Sequence, residues 1–267
     1  MVFQTWFGWH VADSPDGDPR KRSWGRHARF FHSFCFFNGV WAFLVGSVYY
    51  IPTILSENKG AALFTYGSIW FVFGDFHDWY QHRIGCAFDS AEDRALLEKA
   101  GGGLFKHEPR TLAGIYERGG AGFVQFICVL GSVGYLVGSV LFFPELGHLI
   151  LGAWVFIFAS LVIVAAQTAK LLRGCPDPPA YFIEASTWLG AAGYFIGSVY
   201  LWDNIAKGGI MPAFLAADWF ILGSVFYCLM WAGVTYRHFC YSGNPLPSPN
   251  DAVVGAATSV HEATPLI

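Results

Sequence analysis

Three segments of the sequence share one ten-residue pattern, and they decide the fold: GVWAFLVGSV at 39–48, GSVGYLVGSV at 131–140 and GAAGYFIGSV at 190–199. They align without gaps as G-x-x-[GA]-[YF]-[LF]-[VI]-G-S-V, with four positions identical in all three. Each lies in a long apolar window that a short connection joins to a second apolar window. We interpret this self-similarity as a two-helix hairpin present in three copies.

The pattern places small residues four positions apart on one face of the first helix of each hairpin. Hydrocarbon gives helices no hydrophobic reason to associate, so small residues that let two backbones approach are the usual packing device in lipid. The serine after the last glycine can bond to a carbonyl one turn earlier or reach a neighbouring helix. An ion-binding or ligand-binding role is the alternative. The predicted helix-packing residues are Gly46, Ser47, Gly134, Gly138, Ser139, Gly193, Gly197 and Ser198.

The composition is that of a membrane protein. Of 267 residues, 54% are hydrophobic and only 13% are charged, about half the charged share that is usual in soluble domains. Aromatic residues make up 18% of the chain, which excludes a disordered protein. A net charge of −3 gives no electrostatic footprint for nucleic acid.

Six apolar windows are long enough to cross a membrane as helices, which predicts an all-α, polytopic membrane protein. A span needs about 20 apolar residues. The second window is the weakest, because its apolar run stops at Gly74 and Asp75 follows. The windows are 34–55, 61–80, 122–143, 147–169, 181–201 and 211–235.

Basic residues set the expected orientation. With six spans, 14 of the 16 Lys and Arg residues fall on one side, and only Lys59 and Lys207 fall on the other. The positive-inside rule then places both termini on the cytosolic or equivalent side, with the organelle left open. Residues 1–18 hold no apolar run of signal-peptide length, so the first span is expected to act as an uncleaved anchor. No cysteine falls in an outer loop, so no disulfide framework is expected.

The spans divide the chain into six expected regions. One soluble helix is expected in the long loop, from Ser90 to about Gly101. Leu104–Arg118 is a candidate for a short amphipathic helix on the membrane surface. The Pro-rich tail is expected to be mobile. The regions are a basic N-terminal segment (1–33), hairpin 1 (34–83), a cytosolic loop (84–120), hairpin 2 (121–173), hairpin 3 (174–240) and the tail (241–267).

The hairpin resembles the YrhK-like domain, a small bacterial membrane module that also occurs in repeated form. The segments that carry the resemblance are 137–140 with 154–160, and 196–199 with 219–224. The first copy departs from the pattern, with Asp75 taken as the counterpart of Ser224. The resemblance implies a fold and a membership, and it implies no activity.

One polar constellation is a candidate ion or proton site. On a helix, Asp75, Asp78 and His82 share one face, and ionisable groups inside a span are functional candidates by default. The alternative is a hydrated cluster at the end of the span, with Asp78 paired to His82 or Arg83. Asp218 is a fourth candidate, because it lies about seven residues inside the sixth window, where a charge is costly. Whether any of them binds a metal is left open.

Two classes of function follow, and neither is an enzyme, since no nucleophile, Walker or metalloprotease motif occurs. The first is a structural or accessory membrane protein whose helices pack with other subunits or with a second copy. The second is a small channel or transporter with a cation or proton pathway among the three hairpins. A haem protein using His32 and His77 is a weaker third possibility. No cofactor is expected, and the expected partner is the lipid bilayer.

Overall fold

Six long helices make up the described part of the chain in its computed structural model. The structure describes residues 11–12, 23–24, 26–83, 112–173, 175 and 178–241. The helices are α1 (Arg26–Val48), α2 (Glu57–Arg83), α3 (Leu112–Leu141), α4 (Leu149–Arg173), α5 (Pro178–Lys207) and α6 (Ile210–Phe239). A 3₁₀ turn covers Pro144–Leu146, and two strands of two residues, β1 (Val11–Ala12) and β2 (Ser23–Trp24), pair antiparallel. The all-α prediction is confirmed.

The helices form a closed ring. Each helix packs against the helix before it and the helix after it, and α6 packs back against α1. The connection between α5 and α6 is the tightest, because Gly208 and Gly209 adopt φ angles of 76° and 122°, which side-chain-bearing residues rarely tolerate. This arrangement brings the start of α1, α3 and α5 and the end of α2, α4 and α6 to one end of the bundle.

Two helix ends differ from the sequence expectation. Helix α1 begins at Arg26 and ends at Val48, whereas the first window runs over 34–55, because turns at 49–54 include Pro52, which cannot continue a helix. Helix α3 begins at Leu112, so the second half of the expected surface helix is part of a long helix. The expected helix at 90–101 and the tail beyond 241 lie outside the described residues.

Four of the helices in the described part are long and apolar enough to cross a membrane: Ala28–Val48, Gly122–Leu141, Leu149–Leu172 and Ile210–Phe239. The prediction of six such helices is corrected on this measure, because α2 and α5 fall short. Helix α2 carries Asp75 and Asp78 near its end, and the buried face of α5 is made largely of Gly, Ala and Ser. Charged residues in α2, and glycine and serine in α5, lower the mean hydropathy of a helix without shortening it.

The core of the ring is aromatic. Phe43, Tyr135 and Tyr194 occupy the same position of the three sequence patterns, and their rings are mutual neighbours at centroid distances of 5.2–5.9 Å. Phe64, Phe156 and Phe220 lie next to these rings, toward the end of the bundle where α1 connects to α2 and α3 to α4. The ring centroid of Phe64 lies 6.0 Å from that of Phe156 and 5.9 Å from that of Phe220. All six rings are at most 1% exposed, so this half of the core is filled.

Candidate functional site: a polar layer at one end of the bundle

The pattern glycines lie at contacts inside the chain. A Cβ added at Gly46, Gly138 or Gly197 would meet the ring of Phe64, Phe156 or Phe220, respectively. In α5, a Cβ at Gly193 would lie 2.8 Å from the Gly223 Cα atom. In α3, a Cβ at Gly134 would lie 2.8 Å from the Ala159 Cβ atom. The small faces are therefore used for packing between adjacent helices of one chain, which weakens the reason to expect that they contact other subunits.

The pattern serines have one hydrogen-bonding role in common. Ser47, Ser139 and Ser198 are fully buried, and each donates to the carbonyl four residues earlier at 2.7 Å. Hydroxyl contacts also join different helices: Tyr194 with Ser224 at 2.6 Å, Tyr135 with Ser160 at 2.9 Å, Ser68 with Ser139 at 3.1 Å, Ser47 with Ser224 at 3.1 Å and, across the ring, Tyr135 with Tyr227 at 3.3 Å. The centre of the bundle is therefore held by paired hydroxyl groups.

These contacts correct the alignment of the first hairpin. Ser224 follows Gly223, which packs against the pattern of α5, and in α2 the residue with the same environment is Ser68 after Gly67. A Cβ at Gly67 would lie 2.9 Å from a carbonyl oxygen of the α1 pattern, as a Cβ at Gly223 would from that of α5. Asp75 is thus not the counterpart of Ser224. Asp75 lies two turns further along α2, at the position that corresponds to Gln167 in α4 and to Trp231 in α6.

Ionisable and polar side chains are concentrated at one end of the bundle, where all six helices contribute. We call this set the polar layer. Near the centre of the polar layer, His32, His77 and His238 are 2–7% exposed. The side chain of Asp78 is 17% exposed. The polar layer consists of Arg29, His32, Ser33, Asp75, His77, Asp78, Gln125, Ser132, Gln167, Thr168, Lys170, Glu184, Trp188, Thr235 and His238.

The centre of the polar layer is a chain of three ionisable groups on three helices. The His32 Nε2 atom lies 2.8 Å from Asp78 Oδ1, and His32 Nδ1 lies 3.0 Å from His238 Nε2. A carboxylate at this distance repels a lone pair, so it favours the tautomer of His32 with a proton on Nε2. The remaining proton between His32 Nδ1 and His238 Nε2 can belong to either nitrogen.

This geometry has two satisfied protonation states. When His238 carries the Nε2 proton, it donates to a neutral His32. When a further proton arrives on His238 Nδ1, the Nε2 proton can move to His32 Nδ1, and His32 becomes a cation beside the Asp78 carboxylate. Both states keep the hydrogen bond, so the chain can accept and release one proton without leaving a buried nitrogen unpaired.

Other hydrogen bonds hold the His32–Asp78–His238 chain of groups in place. Gln125 Nε2 donates to Asp78 Oδ2 at 3.4 Å, and Arg29 Nη1 donates to the His238 carbonyl oxygen at 3.2 Å. The hydroxyls of Ser33 and Thr235 lie 2.7 Å apart. These contacts connect α1, α2, α3 and α6, so a change of charge at His32 acts directly on the closure of the ring.

The α4–α5 side of the polar layer contains an ion pair. Lys170 Nζ lies 3.2 Å from Glu184 Oε2, with both side chains about one-fifth exposed. Trp188 Nε1 donates to Thr168 Oγ1 at 3.0 Å. Glu184 therefore pairs with a basic residue on the adjacent helix.

A small cavity lies inside the polar layer next to the aromatic core. Its volume is about 30 Å³, which exceeds the ~10–15 Å³ that one water needs. Asp75 reaches it from α2, and its Oδ2 atom accepts a hydrogen bond from Ser132 on α3. The polar lining is completed by Gln167, Thr187, Tyr135 and Tyr227.

The predicted site residues separate into three groups. Asp75 and Asp78 both belong to the polar layer, and Asp78 contacts His32 and Gln125 there. The side chain of His82 lies outside the described residues, as does that of Arg83. Asp218 is exposed on α6, about 30 Å along the helix axis from His238 at 1.5 Å per residue, so it belongs to no common site with Asp75.

The sequence interpretation missed the pairing of His32 with His238, which are 206 positions apart. No spacing rule connects them, because only the closure of the ring by α1 and α6 brings them together. A usable signal exists in hindsight: both lie near the same predicted end of their spans. Gln125 and Gln167 form contacts between helices, to Asp78 and to Cys128 Sγ, respectively.

No group of three His, Cys, Asp or Glu residues that could hold a metal ion occurs in the described part of the chain. His32 is engaged at both ring nitrogens, which disfavours the haem alternative. No family model matches the sequence, and no curated protein or solved structure matches it.

Proposed function

We propose that the protein is a six-span integral membrane protein, built from three copies of a two-helix hairpin, that moves protons across the membrane and takes them up at the polar layer from the basic side. The observation that carries this proposal is the buried His32–Asp78–His238 chain. Ionisable groups held inside a membrane bundle are costly, and they are a functional hypothesis by default.

Two features support six spans although four helices meet the hydropathy measure. Helices α2 and α5 have 27 and 30 residues, or about 40 and 45 Å, against a hydrocarbon thickness of ~30 Å. Both helices also point large apolar side chains away from the ring, as lipid requires. Those that are at least 37% exposed are Tyr66, Ile69, Phe73 and Phe76 on α2, and Tyr181, Phe182, Leu189 and Val199 on α5.

The charge distribution supports the direction of proton entry. Arg29, Lys170 and Arg237 lie at the polar-layer end, whereas Lys59 and Lys207 lie at the other end. By the positive-inside rule the polar layer then faces the cytosolic or equivalent compartment. Both termini follow on the same side, and the lipid bilayer is the surrounding partner.

The three-copy origin is supported by contacts that recur in each helix pair. The last pattern glycine packs on a phenylalanine of the second helix in every pair, at Phe64, Phe156 and Phe220. The pattern serine makes the same bond in each first helix. Membership in the YrhK-like family remains a proposal that rests on the sequence resemblance.

The test is proton flux into liposomes that contain the purified protein and an internal pH-sensitive dye. We expect an imposed pH gradient to decay faster than in protein-free liposomes. Asp78→Asn should reduce that rate about tenfold or more, as expected when a positioned proton-transfer group is lost. The control is Asp203→Asn, because Asp203 pairs with Lys207 at the opposite end and should leave the flux unchanged. A parent protein that moves no protons in either gradient direction contradicts transport.

A structural or accessory role is the second candidate, and a specific observation favours it. The rings of Phe64, Phe156 and Phe220 fill the core beyond the polar layer, so a through-pathway requires this packing to open. A proton-responsive accessory protein needs no such opening. Purification from native membranes in mild detergent distinguishes the two candidates, since an accessory protein should run with other chains and a self-sufficient transporter should run alone.

A further inference from the structure

We infer that the cavity beside Asp75 is a binding site for one dehydrated sodium ion, which goes beyond the proposed uptake of protons at His32 and His238. The cavity lies between the polar layer and the aromatic core, and all six helices supply its polar and aromatic lining. It is a separate site, since none of its lining residues belongs to the His32–Asp78–His238 chain.

An unpaired amide oxygen points to a ligand in this cavity. Gln167 is 4% exposed, and its Oε1 atom has no hydrogen-bond partner in the structure. The other end of the same amide, Nε2, faces Cys128 Sγ at 3.9 Å, so the oxygen is the end left for the cavity. A buried acceptor without a donor is costly, and a cation or a hydrogen donor in the cavity removes that cost.

The lining is made of oxygen atoms suited to a hard cation. Asp75 supplies a carboxylate, Gln167 an amide oxygen, and Ser132 and Thr187 supply hydroxyls. Ser132 Oγ donates to Asp75 and keeps lone pairs that can still face an ion. Hard cations such as the alkali and alkaline-earth ions prefer oxygen ligands of this kind.

Charge favours a monovalent ion such as sodium over divalent ions. One carboxylate lines the cavity, so a monovalent ion is neutralised there and a divalent ion leaves an uncompensated buried charge. The volume of about 30 Å³ accommodates one or two water-sized particles. An ion that enters must therefore shed most of its hydration shell and take the protein oxygens in place of water.

The test is the melting temperature of the purified protein in mild detergent, measured in sodium, potassium and choline chloride at constant ionic strength. Binding to the folded state raises stability as the logarithm of ligand concentration. We expect the melting temperature to rise with sodium concentration and to stay nearly flat in potassium and choline. An equal rise in potassium, or no rise in any salt, overturns the sodium assignment.

Two variants locate the effect. Gln167→Leu removes the amide oxygen, and Asp75→Asn removes the charge; each should abolish the dependence on sodium, and Asp203→Asn should retain it. If one variant does not fold, the other decides. Binding of radioactive ²²Na⁺ at one ion per chain, lost in the same two variants, is the confirming measurement. A sodium response that survives in either variant contradicts the assignment.

The outcome is distinguishable from that of the proposed function. Proton flux depends on His32, Asp78 and His238, whereas the sodium response depends on Asp75 and Gln167. A protein that binds sodium and moves no protons refutes proton movement and supports the sodium site. A protein that moves protons and binds no sodium refutes the sodium site and supports proton movement.

Discussion

Gly193 gives the sharpest test of the packing of α5 on α6. A Cβ atom at this position would lie 2.8 Å from the Gly223 Cα atom, 3.0 Å from the Gly223 nitrogen and 3.2 Å from the Trp219 carbonyl oxygen. All three are backbone atoms, so no side-chain rotation can relieve the contact. The substitution Gly193→Ala must therefore move one helix relative to the other.

The size of the effect follows from two opposing contributions. Overpacking a close contact costs about 1–3 kcal/mol, and replacing a helical glycine by alanine returns about 0.5–1 kcal/mol. The net destabilisation is about 1–2 kcal/mol, which corresponds to a melting temperature lower by about 2–8 °C for a chain of this size.

Thermal unfolding in mild detergent measures this shift, and the chain offers a matched control. Gly122 is also helical, and a Cβ atom there would meet nothing within 4 Å. Gly122→Ala should therefore leave the melting temperature unchanged or raise it slightly. If Gly193→Ala melts at the same temperature as Gly122→Ala, the backbones of α5 and α6 do not approach as described.

Three further predictions concern the hydrogen bonds, the ion pair and the orientation. Ser224→Ala should cost about 0.5–1.5 kcal/mol in unfolding free energy, because Tyr194 loses its 2.6 Å partner; chemical unfolding in detergent measures it. A double-mutant cycle on Lys170 and Glu184, each changed to Ala, should give a coupling of about 1 kcal/mol, whereas a zero coupling means that the pair is not formed. In a variant whose only cysteine is Cys240, a membrane-impermeant maleimide should label from the basic side alone, and ready labelling from the other side would reverse the proposed topology.

Much of the fold could be predicted from the sequence, because its strongest signals are local. Apolar windows and four-residue spacings act along one helix, and they correctly indicated long helices with glycines at their contacts. The buried face of α6 could also be predicted from the sequence. Ala217, Phe220 and Ser224 form that face, and Asp218 does not lie on it. The sequence interpretation considered only the depth of Asp218 in its window and therefore misplaced it.

The site could be predicted only in part, because it depends on which helices become neighbours. Asp75 and Asp78 were identified from their burial cost alone. Their partners Ser132 and His32 lie on other helices, and nothing in the spacing along the chain connects them. The counterpart of Ser224 in α2 is Ser68, and only the contacts of Gly67 and Ser68 with the neighbouring helices identify it.

The central claim is that His32 and His238 share one proton beside Asp78. The most direct measurement is nitrogen-15 NMR of histidine-labelled protein in lipid nanodiscs, which shows which ring nitrogens carry protons. We expect a scalar coupling across the hydrogen bond between His32 Nδ1 and His238 Nε2, and we expect Asp78→Asn to alter the ring signals of both residues. The absence of that coupling, or ring signals that Asp78→Asn leaves as they were, would contradict the shared proton.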